Sequence, residues 1–593
     1  MKTLLLALCL IPLSGFAQFK LEALNEKDSS VDAFLQDVEE TLPASMKKII
    51  NKKVTVSFKD FNYGDKVVWG RLITNPLLPK TASHIDLNKK LLTNIRSQEN
   101  YKLAKATLVH EVSHIYDAYY NVSNDQVFLN ITGWKKKLLG RKKQLNTMQA
   151  RRVDLYEDKN PKETFAVNIE HFLMDPAYKC RKPSLYNYLS KELDTAPFEN
   201  ENCEQEYRLV PTISMDGKIE KQKILDPSKL YEVHYFFAGQ GKNVMSRWGH
   251  AMLRLVMCAP NRTEVSEKCL QDRAHHLVLS FRADITNFNI DYIKGLTGKY
   301  PSKMFVLSMV DVIKEYTAGE LRDLYSIPLK MTEEQKGLLI SQVLERYWGY
   351  ESKYYFISNN CADETLNLIR NVYLDEMEMV DMNVLTPLGL KDKFEKLGLS
   401  DMSVFDNREE AKKKGYFFES LNPKLERIFS DLIEAGVLSE NDRDHTEYLK
   451  NSTLAEREEL LSRVNHPDQY GKLLFIEDTI LNKNLMNIQK AVGKTLDEQD
   501  RSEFGGDLIH AFRKIDALKE KQSGLDLKTG YGVPLKNDNI FKAPDFTTDD
   551  AANLKTYQNE FGEEILKLFK QEQQGLIGQM KHKQKLLKQM TNK

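Results

Sequence analysis

Apolar residues recur at helical spacing in two neighbouring stretches of the chain. In the first, "KATLVHEVSHIYDAYY", Leu108, Val109, Val112, Ile115 and Tyr119 mark one face of a buried or half-buried helix. In the second, "LYEDKNPKETFAVNIEHFLMDP", Asn160-Pro161 is a helix start, and Phe165, Ile169, Phe172 and Leu173 give an apolar face. The period then changes to two. "SRWGHAMLRLVMC" sets His250, Met252 and Arg254 against Ala251, Leu253 and Leu255, and a second strand-like run, "HHLVLSFRA", follows. Alternation predicts one of His275 and His276 buried and the other exposed. "YYFISNNCADETLNLIRNVYL" returns to helical spacing at Leu366, Ile369 and Val372, behind the capping residues Asn359 and Asn360. Beyond about residue 385 the pattern is helical and charged. "GLDLKTGYGVP" interrupts it with turn signals that predict a short hairpin. The last segment, "EEILKLFKQEQQGLIGQMKHKQKLLKQM", predicts a long helix or a small coiled coil without a strict heptad.

The expected fold class is α+β and multidomain, since 593 residues exceed a single core. The predicted boundaries are a signal peptide at 1–17, a metal domain at 18–225, a Cys–His domain at 226–385 and a mainly helical region at 386–593. The leader is Lys2, the apolar "TLLLALCLIPLSGF" and a small-x-small cleavage site, Gly15-Phe16-Ala17. The apolar run is too short for a permanent span, and no second one of about 18 residues occurs. The expectation is therefore a periplasmic or secreted protein without a transmembrane segment after signal removal. Charges balance at 85 against 85, so nothing favours nucleic acid as a partner.

Candidate chemistry sharpens the first region. On a helix, His110 and His114 share a face and point at one metal ion, with Glu111 beside it as a base for water. A third ligand is needed, and Glu163 and Glu170 both lie on the following helix. These residues resemble the gluzincin metalloproteases of the anthrax-lethal-factor-like and MtfA-like kind, over roughly residues 50 to 185. The likeness rests on the HEVSH run, on Glu163-Thr164-Phe165-Ala166 and on Tyr156 seven residues earlier. It implies a zincin-like domain holding Zn2+ on His110, His114 and Glu163, with Tyr156 stabilising the oxyanion and Glu170 as the alternative ligand.

Cysteine usage adds a second site. With Cys9 lost in the leader, five cysteines remain in an oxidising compartment. Cys258 and Cys269 flank a short polar loop, and Cys180 and Cys203 are placed to close the first domain; Cys361 is left over. It falls in the first turn of a helix, where peptide dipoles favour a thiolate, and His250 is the candidate base. Gly249-His250 and Asn360-Cys361, with the intervening "SFRADITNFN…YIKGLTGKYPSKMF", resemble the periplasmic Lnb N-terminal domain family from about Val233 to Val372. That resemblance implies a circularly permuted papain-like (NlpC-type) domain with Cys–His acyl chemistry, and His276 is the candidate orienting residue. The membrane helices that lipoprotein transacylases carry beyond this domain have no counterpart, which tells against lipid substrates and leaves peptide or cell-wall amides open, with a lipoprotein-type substrate as the remaining class. The functional expectation is an exported cell-envelope hydrolase or acyltransferase. The alternative is a scaffold or binding protein with relic sites.

Overall fold

The computed structural model describes residues 19–26, 28–63, 66–75, 77–136, 144–203, 208–209, 223–241, 248–283, 300–354, 360–373, 386–501, 506–523, 530–535, 538 and 547–591. The leader at 1–17, Asn359 and most of the expected hairpin after Gly524 lie outside the described residues. The chain is mixed α+β and multidomain. It divides into two compact units. The first comprises residues 1–146, 152–204 and the short segment Tyr531–Val533; the second holds the rest.

The first unit is built on a four-stranded sheet. Its strands are β1 (Lys20–Ala23), β2 (Lys53–Lys59), β3 (Gly70–Ile73) and β4 (His84–Asn88), in the order β1-β2-β4-β3. β1, β2 and β4 are parallel, and β3 runs antiparallel along one edge. Helix α1 (Ser29–Thr41) follows β1 and is capped by Asp28, whose carboxylate accepts from the Ser30 and Val31 backbone. Helix α2 (Tyr101–Tyr120) carries the HEVSH run, and α3 (Pro161–Met174) carries Glu163. Both fall where the apolar periodicity predicts. Val54, Val56, Ile85 and Leu87 from the sheet meet Leu108, Val112 and Ile115 of α2 and Phe165, Ile169 and Phe172 of α3 in one buried cluster. Burying each such large side chain stabilises the unit by about 1.5–3 kcal/mol relative to exposure. The Cys180–Cys203 disulfide, with Cα atoms 5.3 Å apart, ties the chain downstream of α3.

Tyr531–Val533 comes from far along the chain yet packs inside this unit. Tyr531 donates its hydroxyl to Asp175 at 2.5 Å, and its ring meets His171 edge-on at 5.3 Å. The Arg181 guanidinium lies 5.1 Å from the same ring. The Val533 N–H bonds the Arg181 carbonyl at 2.8 Å, and the Val533 side chain is buried.

The second unit holds a seven-stranded antiparallel sheet. Its strands are β5 (Leu230–Ala238), β6 (His250–Met257), β7 (Leu277–Ala283), β8 (Tyr300–Ser308), β9 (Leu324–Pro328), β10 (Ser352–Tyr354) and β11 (Phe417–Phe418). The order is β10-β8-β7-β6-β5-β9-β11. The short β11 pairs with Leu324 and Tyr325, so the chain beyond residue 385 still supplies one strand. Helix α4 (Met309–Ile313) lies on one face, among Phe236, Met252 and Val278. Helices α5 (Glu333–Gly349), α6 (Cys361–Arg370) and α7 (Pro387–Lys396) belong to the other. The Cys258–Cys269 disulfide, with Cα atoms 4.6 Å apart, closes the loop between β6 and β7. Further on, α8 (Pro467–Arg501) packs with α11 (Lys570–Thr591), and α9 (Asp507–Ser523) packs with α10 (Thr548–Leu568). The expected terminal helix is thus two helices broken at Phe569. No helix among the described residues is long and apolar enough to cross a membrane.

Gly532 gives the fold a direct test. It has φ +57°, and a Cβ there would lie 2.3 Å from the Arg181 carbonyl oxygen. Gly532→Ala should therefore cost about 1–3 kcal/mol in backbone strain alone. Calorimetry should show a lowered melting transition, and limited proteolysis should cut the first unit faster.

Candidate functional site

α2 and α3 bring three donor atoms together. His110 Nε2 lies 3.1 Å from Glu163 Oε2, His114 Nε2 lies 3.3 Å from the same oxygen, and the two imidazole nitrogens are 3.2 Å apart. All three side chains are half-buried. Two nitrogens and one carboxylate oxygen are the donor set of a catalytic zinc site. Bond lengths of about 2.0–2.1 Å in a tetrahedron set donors about 3.3 Å apart, so the triangle has the size such an ion requires. The local sequence dictates this arrangement. Residues four apart put both histidines on one face of α2. Asn160 caps α3 by accepting from the Lys162 and Glu163 backbone, and Pro161 occupies its first turn. Glu163 thus sits where the helix dipole favours a carboxylate. The paired imidazoles hold its pKa well below the usual range, against the opposing effect of burial.

Glu170 has a different place from Glu163. Its Oε1 meets His110 Nδ1 at 2.6 Å, on the far side of the ring from Glu163. A carboxylate on the second nitrogen fixes the tautomer and leaves Nε2 for a metal. Seven residues separate the two glutamates, two helical turns on one face, which is the sequence signal for this role. Burial is the largest influence on His110 and opposes its charge, but Glu163 and Glu170 override it and raise its pKa to about 10.

Glu111 is buried beside the triangle, and burial raises its pKa. The Leu72 N–H of β3 is near enough to favour the charged carboxylate and works against the effect of burial. β3 approaches α2 this closely at Gly70, where a Cβ would lie 2.7 Å from Thr107 Cγ2 and 2.9 Å from Glu111 Oε1. Tyr156 is 40% exposed at the rim, its ring 6.1 Å from that of His110. The Lys159 ammonium sits 3.1 Å from the Tyr156 ring centre.

In the second unit the expected partners separate. Tyr235 and Phe237 stack at 6.3 Å, and Tyr235 meets Phe394 of α7 at 5.4 Å. α6 packs on β6 and β7, and Cys361 at its start is close to Tyr235, so the thiol belongs to the Tyr235 face. Side chains alternate along a strand, so Phe236 and Ala238 face the opposite way. There they join Met252, Val312 and Tyr316. His250 pairs in register with Ala238 and stacks on Tyr316 at 6.0 Å. His250 and Cys361 therefore stand on opposite faces of the sheet. Cys361 is buried and takes part in neither disulfide. Asn360 caps its helix, accepting from the Ala362 and Asp363 backbone.

Residues 219–388 match the Lnb N-terminal periplasmic domain family. This stretch runs from just before β5 into α7 and contains both His250 and Cys361. Residues 118–202 match a domain of unknown function, DUF7844, which takes in α3 and Glu163 but stops short of His110 and His114. No curated protein and no solved structure matches the chain. The likeness to a periplasmic domain family fits a periplasmic or secreted protein of the envelope.

His276 lies apart from His250. Its Nδ1 accepts from the fully buried Arg254 at 2.8 Å, and its Nε2 donates to the Cys269 carbonyl at 2.8 Å. Burial, then Arg254, lowers its pKa to about 3, so it is a neutral core residue. His275 is exposed and His276 buried, as expected for the pair, but the reason differs: both precede the strand, His275 ending a 3-10 turn (Arg273–His275) and His276 following it. Ser280, Tyr316 and Arg282 around His250 carry no sequence motif and come to light only through the sheet register.

A buried thiol reacts slowly whatever its helix dipole. Cys361 should resist iodoacetamide in the folded protein at mildly acidic pH and react on denaturation. His250→Ala should leave that behaviour unchanged, as read by peptide mass spectrometry.

Proposed function

We propose that the first unit is a zinc-dependent hydrolase acting on peptide-type substrates in the cell envelope. The observation that carries this reading is the donor triangle of His110, His114 and Glu163. The succession of sheet, edge strand, HEVSH helix and glutamate helix supports a zincin-like fold. Bound zinc would supply Lewis acidity and a water that ionises near neutral pH. Glu111, buried and with a raised pKa, takes the proton from that water's position and returns it to the leaving group. Glu170 holds His110 in the ligating tautomer. Tyr156, at the rim, donates to the oxygen that gains negative charge. β3 is the sheet's edge strand and lies against Glu111, so its outer backbone groups offer pairing to an extended peptide.

For the second unit, likeness to the Lnb N-terminal domain family supports the papain-like reading, with acyl groups of peptide, cell-wall or lipoprotein type as its substrates. The separation of His250 from Cys361 favours the other reading for the thiol. Cys361 is then a structural core residue, and this part of the chain is a binding module.

Purified mature protein should carry about one zinc per chain. His114→Ala should abolish stoichiometric zinc. Glu111→Gln should retain zinc while slowing hydrolysis of an unfolded protein substrate about 10²- to 10⁴-fold, since a base is lost and not a ligand. Glu170→Gln should weaken zinc binding about 10- to 100-fold in a chelator competition, as expected for a group that orients a ligand. A metal-replete wild-type protein without zinc contradicts the proposal.

A further inference from the structure

Helix α11 is packed with its polarity reversed. Its inward side, against α8, carries Leu586 but also Gln579 and His582, both buried. Gln579 Oε1 and His582 Nδ1 have no hydrogen-bond partner among the described residues. Its outward side carries Ile577, Met580 and Leu587, which are 45%, 55% and 41% exposed. With Gln584 between the last two, these positions run i, i+3, i+7 and i+10, a single stripe about 15 Å long.

Buried polar atoms without partners cost stability, and so do apolar side chains left in water. Turning α11 by about half a turn on its axis would relieve both, hydrating Gln579 and His582 and burying the stripe. Packing within the chain therefore does not account for this orientation. The stripe is presented to something outside it.

Charge indicates what that is. α11 holds five lysines and one glutamate. Lys583 pairs with Asp478 of α8. Lys570, Lys581 and Lys585 are exposed, and no carboxylate pairs with them among the described residues. All three fall within about 80° of Ile577 around the helix, on one side, so a basic line borders the apolar one. A second copy would bring the same lysines against these, and like charges oppose that pairing. The stripe is a convex ridge, which a fluid lipid layer accommodates without a preformed groove. Apolar side chains bordered by lysines are the pattern of a helix lying in the plane of a membrane surface. A periplasmic or secreted protein of the envelope meets such surfaces.

We propose that α11 docks the protein on an anionic phospholipid surface. Ile577, Met580 and Leu587 enter the acyl boundary, and Lys570, Lys581 and Lys585 meet the lipid phosphates. No helix among the described residues is long and apolar enough to cross the bilayer, so the contact is peripheral. The assignment uses neither the zinc site nor Cys361.

Co-sedimentation of the full mature chain with vesicles tests it, using equimolar phosphatidylglycerol and phosphatidylcholine against phosphatidylcholine alone. At low salt the chain should bind the mixed vesicles about a hundredfold more tightly. Ile577→Ser with Met580→Ser should weaken that binding about a hundredfold, tenfold for each inserted side chain. The melting transition of this variant should be unchanged or raised, because both positions are exposed. Lys581→Gln with Lys585→Gln should weaken binding about 25-fold at low salt, with the difference shrinking as salt is added. Size-exclusion chromatography without lipid should give one species at all concentrations. A wild type that does not pellet, as for a face that meets an acidic protein, overturns the proposal. So does binding that survives Ile577→Ser with Met580→Ser or is indifferent to phosphatidylglycerol. Self-association that those apolar substitutions abolish would assign the stripe to a second copy and equally overturn it.

Discussion

The contact between α2 and α3 is the constraint on which the first unit's site depends. Tyr116 and Phe165 stack at 6.3 Å across it, and Phe165 also meets Phe128 edge-on at 5.9 Å. A buried polar chain fixes the start of α3. Trp134 donates to Thr164 at 2.8 Å, Thr164 donates to the Glu157 carbonyl at 2.7 Å, and Asn168 bridges Glu157 and Tyr178. Close-packed helices do not slide by fractions of an ångström without opening cavities, so the separation of His110, His114 and Glu163 is set by core packing. A site held on rigid helices needs no loop closure to bring its donor atoms together. Tyr531 and Val533 extend the same logic, because they brace the residues just past α3 from a segment some 350 positions downstream in sequence.

The second unit is governed by sidedness. A seven-stranded sheet covered on both faces separates whatever its strands point up from whatever they point down. His250, His276 and Arg254 fall on one side, and the helix begun by Cys361 lies on the other. The buried Arg254 is held by Ser326, the Gly415 carbonyl and His276, so two of the unit's polar groups serve the core. His250, at the start of β6, bonds Ser280 on the same face.

Much of this was legible in the residues. The apolar periodicity locates α2 and α3, and the i, i+4 histidines and the Asn160-Pro161 start place the donors. Short spacing and compartment lead to the two disulfides. What escaped was relational. Alternation shows that His250 and Ala251 point apart, but not which face receives the Cys361 helix, because that depends on where the intervening chain crosses. Glu170 and Glu163 share one helix face, and only the position of His110 between them separates ligand from orienting group. The Tyr531 contact has no local signature, since turn residues in "TGYGVP" fit many surroundings. On either side of Phe569 the exposed Leu566, Leu568 and Met580 show why no heptad holds there.

X-ray absorption at the zinc edge of the metal-loaded protein bears most directly on the central claim. Two imidazole nitrogens and a carboxylate oxygen should give a first shell of nitrogen and oxygen at about 2.0–2.1 Å, with the outer-shell pattern of two histidines. That pattern should drop to one histidine in His114→Ala loaded under forcing metal. A sulfur scatterer at about 2.3 Å, or a wild-type spectrum without histidine scattering, would show that the zinc sits elsewhere and contradict the account.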